Sequence, residues 1–162
     1  MTVLEPLLTN QMRVLGPDHP HTLTTRGSLA RWWGEMGDAA RAVAALEQLL
    51  ADRMRVFGPD HPHTLNTRGN LARWWGKAGD AARAVAALEQ LLVDYLRVLG
   101  PDHPHTLTVR ASLAWWRGAA GDAAGAALAM EQLLADRVRV LGPDHRDTLA
   151  TRNNLARWRA RP

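Results

Sequence analysis

Residues 58–92 read GPDHPHTLNTRGNLARWWGKAGDAARAVAALEQLL, and this stretch decides the fold. Pro62 follows the capping-type pair Asp60-His61 and suits the first position of a helix, where the backbone N–H groups lack partners in any case. A first helix, A, is therefore expected from Pro62 to about Trp75. Gly76 and Gly79 bracket a tight turn, and Asp80 is a good N-cap for the alanine-rich stretch beyond it. Helix B is expected from about Ala81 to Leu99. Gly100 fits the left-handed residue that closes a helix, and Pro101 prevents continuation. Helix B places Ala82, Val85, Leu88 (or Ala86), Leu92 (or Leu91), Leu96 and Leu99 at three- and four-residue steps. One hairpin cannot cover such a stripe; a stack of hairpins can, with helix axes ~8–10 Å apart.

Working outward, the string GPDH begins at Gly16, Gly58, Gly100 and Gly142, so the unit is 42 residues long. Residues 16–57 and 58–99 differ only at Thr24/Asn66, Ser28/Asn70, Glu35/Lys77, Met36/Ala78, Ala51/Val93, Arg53/Tyr95, Met54/Leu96 and Phe57/Leu99. Such closeness implies recent duplication or deliberate construction. The expected organisation is a single all-α array, an α-solenoid. Residues 1–15 form a partial helix B, 16–57 the first repeat, 58–99 the second, 100–141 the third and 142–162 a terminal helix A.

Composition narrows the function. The chain has no cysteine, which excludes a disulfide framework and a thiolate metal site. The start, MTVLEPLLTNQMRV, lacks a basic segment followed by a long apolar run, and no stretch approaches the ~20 apolar residues of a membrane span. A soluble, cytoplasmic chain without membrane contact is expected. The net charge is +4, but Lys77 is the only lysine and the arginines are spread among carboxylates. Nucleic-acid binding through arginine is thus a minor alternative.

The tryptophans separate by register. Trp32, Trp74, Trp116 and Trp158 occupy one site in all four copies of helix A, whereas the neighbouring site holds Trp33, Trp75, Arg117 and Arg159. The first set is expected to form a structural core seam. Trp115 replaces the arginine found at Arg31, Arg73 and Arg157, so it is expected to be exposed and available to a ligand.

The 58–92 run resembles the tetratricopeptide repeats of kinesin light chains and of bacterial regulators that append such repeats to an ATPase module. The marks are the GPDHP loop, the triplets Asn70-Leu71-Ala72 and Asn154-Leu155-Ala156, and the Gly-x-x-Gly-Asp turn. The resemblance covers almost the whole chain. It implies a right-handed superhelix whose inner wall of A helices binds an extended peptide or a partner's helix. It also implies that Asn70 and Asn154 hold a peptide backbone while nearby cations hold ligand carboxylates. Ser28 and Ser112 stand at the matching sites of the other repeats, which interrupts an asparagine ladder. Arg26, Arg68, Arg110 and Arg152 replace the large aromatic expected early in helix A.

Spacing points to the same face. Thr24, Ser28, Arg31 and Glu35 share one side of helix A, as do Asn66, Asn70, Arg73 and Lys77. The candidate ligand groove therefore comprises Ser28, Arg31, Asn66, Asn70, Arg73, Lys77, Ser112, Trp115, Asn154 and Arg157. The expected function is a non-enzymatic protein-interaction scaffold for an extended or acidic peptide, without cofactor. No catalytic residue is assigned, because there is no cysteine, the only serines are Ser28 and Ser112, and no phosphate loop occurs. No metal site is assigned either: all seven histidines lie in the connecting loops, where successive His-x-His pairs sit one repeat apart. The alternative is a self-stacking array. Leu4, Leu7 and Leu8 and, on the last helix A, Leu149, Leu155 and Trp158 offer complementary apolar surfaces for head-to-tail homo-oligomers.

Overall fold

A computed structural model describes residues 3–160, and among them all regular structure is helical. The chain divides into two compact units, Met1–Ala78 and Gly79–Pro162. The first contains α1 (Leu4–Leu15), α2 (Pro20–Glu35), α3 (Ala39–Phe57) and α4 (Pro62–Lys77). The second contains α5 (Ala81–Leu99), α6 (Pro104–Ala119), α7 (Ala123–Leu141) and α8 (Arg146–Arg159). Within each unit consecutive helices pack, and alternate A helices also meet, α2 with α4 and α6 with α8.

The helix limits follow from their caps. Pro62 opens α4, but the cap is His61, whose Nδ1 accepts the His63 backbone N–H at 3.1 Å. His19, His103 and His145 do the same for α2, α6 and α8. These four histidines are thus helix starters, while His21, His63 and His105, expected in the loops, stand in the first turns of α2, α4 and α6 because the prolines before them open the helices. Asp80 caps α5 by accepting the Arg83 N–H at 2.9 Å. Gly100 closes that helix at φ 82°, a value unfavourable for any residue with a Cβ. Helix α4 runs to Lys77, two residues past the expected end.

The core of the first unit is Leu23, Ala30, Ala42, Leu46, Leu49, Leu71 and Trp74. Leu107, Ala114, Ala126, Met130, Leu133, Leu155 and Trp158 form that of the second. Each buried Leu contributes ~1.5–3 kcal/mol of apolar transfer free energy. Two expectations need correction here. The buried line of α5 is Ala84, Leu88, Leu91 and Tyr95, with Ala82 and Leu96 exposed and Val85, Leu92 and Leu99 half-buried. In α3 the same line is Ala42, Leu46, Leu49 and Arg53. The α3 line passes through a cation, whereas that of α5 carries no charge and is flanked by further Ala, Val and Leu, so three- and four-residue apolar steps alone do not single it out.

The second correction concerns the tryptophans. Trp74 and Trp158 are 1% and 2% exposed, but Trp116 is half-buried and Trp32 is 36% exposed. For Trp74, Trp158 and Trp32 the reason lies in the preceding helix A. Trp74 lies against Gly34 of α2 so closely that a Cβ on Gly34 would overlap the indole. Trp158 does the same at Gly118 of α6, where a Cβ would come within 2.8 Å of the ring. Trp32 faces no earlier helix A among the described residues, since α1 stands at the helix B position.

Candidate functional site

In the first unit, α2 and α4 flank an open concavity of about 160 Å³. Thr24, Ser28 and Arg31 come to it from α2, Asn66, Thr67 and Asn70 from α4, and Arg53 from α3. The four- and three-residue steps along α2 and α4 turn these side chains to one face. No carboxylate lines the concavity. Asn70 Nδ2 donates to Asn66 Oδ1 at 3.0 Å. That bond leaves the Asn66 amide donors and the Asn70 carbonyl oxygen for a ligand, the complement of a peptide unit. Arg31 is exposed and makes no ion pair among the described residues.

The structure separates the candidate groove residues into three groups. Ser28, Arg31, Asn66 and Asn70 share the α2–α4 concavity. Arg73 and Lys77 lie farther along α4 and are engaged by Glu35 of α2, at 2.8 Å and 3.9 Å. Lys77 also stands 4.5 Å over the Trp74 ring. Glu35 offsets one of these two cationic charges, and both side chains are exposed.

Ser112, Trp115, Asn154 and Arg157 belong to the second unit. Ser112 Oγ donates to Thr108 C=O at 3.1 Å, the usual back-bond of a helical serine. Trp115 departs from expectation: it is half-buried, packs on the core and meets Trp158 edge-on at 5.3 Å between centroids. Arg157 covers that ring at 5.0 Å. The exchange of Arg for Trp at this site is absorbed by packing, with the displaced cation character supplied from the next helix A.

Sequence reasoning missed Arg53 and Arg137. Arg53 is 6% exposed; its Nη1 donates to His63 C=O at 3.0 Å and Thr67 Oγ1 at 2.7 Å, and its Nη2 to Leu23 C=O at 3.1 Å. It thereby ties α3 to both flanking A helices. Burial, and then the nearby Arg26 cation, push its pKa below the ordinary guanidinium value. Burial likewise lowers His63, with further contributions from Arg53 and His61. A signal was present in the repeats. The site reads Arg53, Tyr95, Arg137 while its partner in the next helix A reads Thr67, Val109, Thr151. The two change together, as contacting residues do.

Arg26, which replaces the expected aromatic, pairs with Asp52 at 2.7 Å, and Arg110 pairs with Asp136 at 2.8 Å. On the loop side, Asp18 binds Arg55 and Asp102 binds Arg139, each through two oxygens. Those fork-like contacts hold both carboxyls below their ordinary range. Among the described residues no group of three or more His, Asp or Glu could hold a metal ion, and no helix is long and apolar enough to cross a membrane.

Comparison with known proteins agrees with this architecture. A family model described as tetratricopeptide repeat matches residues 34–93, and a second of the same description matches residues 106–147. Among solved structures the chain is similar to the nearly identical TPR-like repeats of a Podosopora anserina protein assigned as a kinesin light chain. A singly substituted form of that protein is 31% identical, with a TM-score of 0.79, 96% of this chain covered and 73% of that one. The form without the substitution gives 31% identity and a TM-score of 0.77, over 96% and 74%. BtubC (BKLC) from P. vanneervenii is 19% identical with a TM-score of 0.73, over 85% and 55%, and shares the fold. No curated protein matches the chain. Tetratricopeptide repeats are in general protein–protein interaction scaffolds. The chain belongs to the tetratricopeptide repeat family, in its kinesin-light-chain-like form.

Proposed function

We propose that the chain is a non-catalytic scaffold that binds an extended segment of a partner protein along the α2–α4 face of its first unit. The observation that carries this reading is the open concavity lined by Ser28, Arg31, Asn66 and Asn70 with no carboxylate among its walls. The Asn66–Asn70 pair spans one peptide unit of the ligand backbone, and Arg31 at the rim favours acidic segments. Fluorescence titration with a panel of extended peptides should give dissociation constants tighter than about millimolar. Asn70→Ala should weaken every peptide in the panel, because it removes a backbone contact. Binding weaker than millimolar throughout, or full binding by Asn70→Ala, would remove the support.

A second reading, association between copies, is favoured by apolar side chains exposed on α1 and α8. Leu7 is 42%, Met12 47% and Leu149 41% exposed, whereas Leu155 and Trp158, also expected on this surface, lie in the core and are not available to it. The occupant of the α1 face would be α8 of a second copy. Covering on the order of 500–1,000 Å² of apolar area corresponds to micromolar to millimolar affinity after the association entropy is offset. Sedimentation over a wide concentration range should then show reversible growth, and a strict monomer at the highest concentration excludes it.

A further inference from the structure

Each helix A carries a stripe, at steps of four, three and four residues, on which the next hairpin packs. On α2 it is Leu23, Gly27, Ala30 and Gly34, and on α6 it is Leu107, Ala111, Ala114 and Gly118. Leu23, Ala30, Leu107 and Ala114 are at most 1% exposed. The other two positions of the stripe must stay small. A Cβ on Gly27 would stand 3.3 Å from Leu49 Cδ2 of α3, one on Gly34 would overlap the Trp74 ring, and one on Gly118 would come within 2.8 Å of the Trp158 ring.

On α8 the same stripe reads Leu149, Asn153, Ala156 and Ala160. All four are exposed. Both small positions are filled: an amide stands where α2 has Gly27 and α6 has Ala111, and a methyl group stands where the earlier copies have Gly34, Gly76 and Gly118. Ala160 keeps right-handed helical angles, φ −81° and ψ −4°, and its N–H donates to Ala156 C=O at 3.2 Å. Its Cβ therefore leaves the helix on the side that Gly34 and Gly118 turn to their tryptophans. The α1–α2 edge carries the groups that such a stripe receives. Leu7 of α1 holds the repeat position of Leu49, and Trp32 of α2 holds that of Trp74. Leu7 and Trp32 are 42% and 36% exposed, where Leu49 and Trp74 are 0% and 1%.

We propose that the α8 stripe of one molecule and the α1–α2 edge of a second copy are the two halves of one interface, and that Asn153 and Ala160 set its strength. The occupant is a second copy because the interface is one the chain already makes twice within itself, at α2 with α3 and α4 and at α6 with α7 and α8. When the edge lies on α8 as α3 and α4 lie on α2, Leu7 of the second copy meets the Asn153 amide and its Trp32 ring meets the Ala160 methyl. The first contact sets a polar group against apolar surface and the second overpacks a ring. Leu149 and Ala156 attract the edge, and these two side chains keep it from closing. This rests on the reading of association between copies and adds the residues that hold it at the weak, millimolar end of its range.

The test is sedimentation of the whole chain over a wide concentration range. Asn153→Ala with Ala160→Gly gives α8 the small residues that α6 has in Ala111 and Gly118. Trp32→Ala, made in that background, removes the ring. All three positions are exposed, so each variant should melt cooperatively by circular dichroism. The double variant should associate about tenfold tighter than the parent or more, the scale of one relieved overpacked contact. Ala160→Gly alone, at a helix end where glycine is well tolerated, should give most of that gain, and Trp32→Ala should cancel it. A parent that associates beside a double variant that does so no more tightly overturns the proposal and leaves association between copies standing. A gain that survives Trp32→Ala also overturns it, because the ring is then not what meets residue 160. A strictly monomeric parent beside a double variant that associates keeps the proposal and removes association as a property of the parent. If neither associates at the highest concentration, both fall.

Discussion

In Met1–Ala78 the position beside the core tryptophan of helix A holds Trp33 and Trp75, whereas in Gly79–Pro162 it holds Arg117 and Arg159. The tryptophans are half-buried against the core, and Arg41 stands 3.9 Å over the Trp33 ring. The arginines reach back to the preceding helix B, Arg117 to Glu89 at 2.6 Å and Arg159 to Glu131 at 2.7 Å. One backbone position is therefore satisfied either by apolar area or by an exposed ion pair. Exposed pairs contribute ~0–1 kcal/mol, so this site is permissive and the Trp74/Trp158 site is not. The same contrast runs through the helix-A face. The first unit has Arg31, Asn66, Gly27 and His63 where the second has Trp115, Ala150, Ala111 and Asp147, and in both units the buried arginine is held by carbonyl and hydroxyl oxygens.

The largest expected effect tests the distinction between the adjacent tryptophans. Trp74→Ala removes a side chain that is 1% exposed and should cost ~3–5 kcal/mol, with Trp75→Ala costing clearly less. Equal shifts in urea midpoint would break the comparison. Next come the glycines under those rings: Gly34→Ala and Gly118→Ala each force the indole of the next helix A to move and should lose ~1–3 kcal/mol. The loss should be larger for Gly34, where the approach is closer. Arg53→Met removes one donor each from Leu23 C=O, His63 C=O and Thr67 Oγ1, although Thr67 Oγ1 still donates to His63 C=O at 2.8 Å, for ~1–3 kcal/mol. Adding Thr67→Val to Arg53→Tyr should recover much of it, measured in the same denaturant series.

Smaller still is Trp75→Arg, which imports the second unit's solution and should change stability by no more than ~1 kcal/mol. The smallest effect is one of pH. His63 is held below the ordinary histidine value near 6.5, so the unfolded chain takes up its proton first as pH falls. Stability from this group is complete above about pH 6.5 and is lost on acidification through the folded pKa. A decline in urea midpoint between about pH 7.5 and 5.5 that His63→Gln flattens would sharpen the contrast with Asp147; identical slopes would remove His63 from it.

The 42-residue period, the loop prolines and the closing glycines were enough to read off helix limits such as Ala81–Leu99, because capping chemistry is local and is written in a few adjacent residues. The polar stripe of α2 and α4 was legible for the same reason, since its spacing is a property of one helix. Tertiary structure alone decided which cations on that stripe meet a carboxylate. Glu35 of α2 pairs with Arg73 and Lys77 of α4 while Arg31 makes no ion pair among the described residues, an arrangement that single-helix periodicity does not contain. It also decided that Trp32 is exposed where Trp74 is buried, although both carry the same local sequence. Burial depends on whether an earlier helix A presents a glycine to the ring. Arg53 shows the limit most sharply. Its charge marks it as a surface residue in sequence, while the carbonyls of two neighbouring helices, brought together only by the fold, make it a buried one.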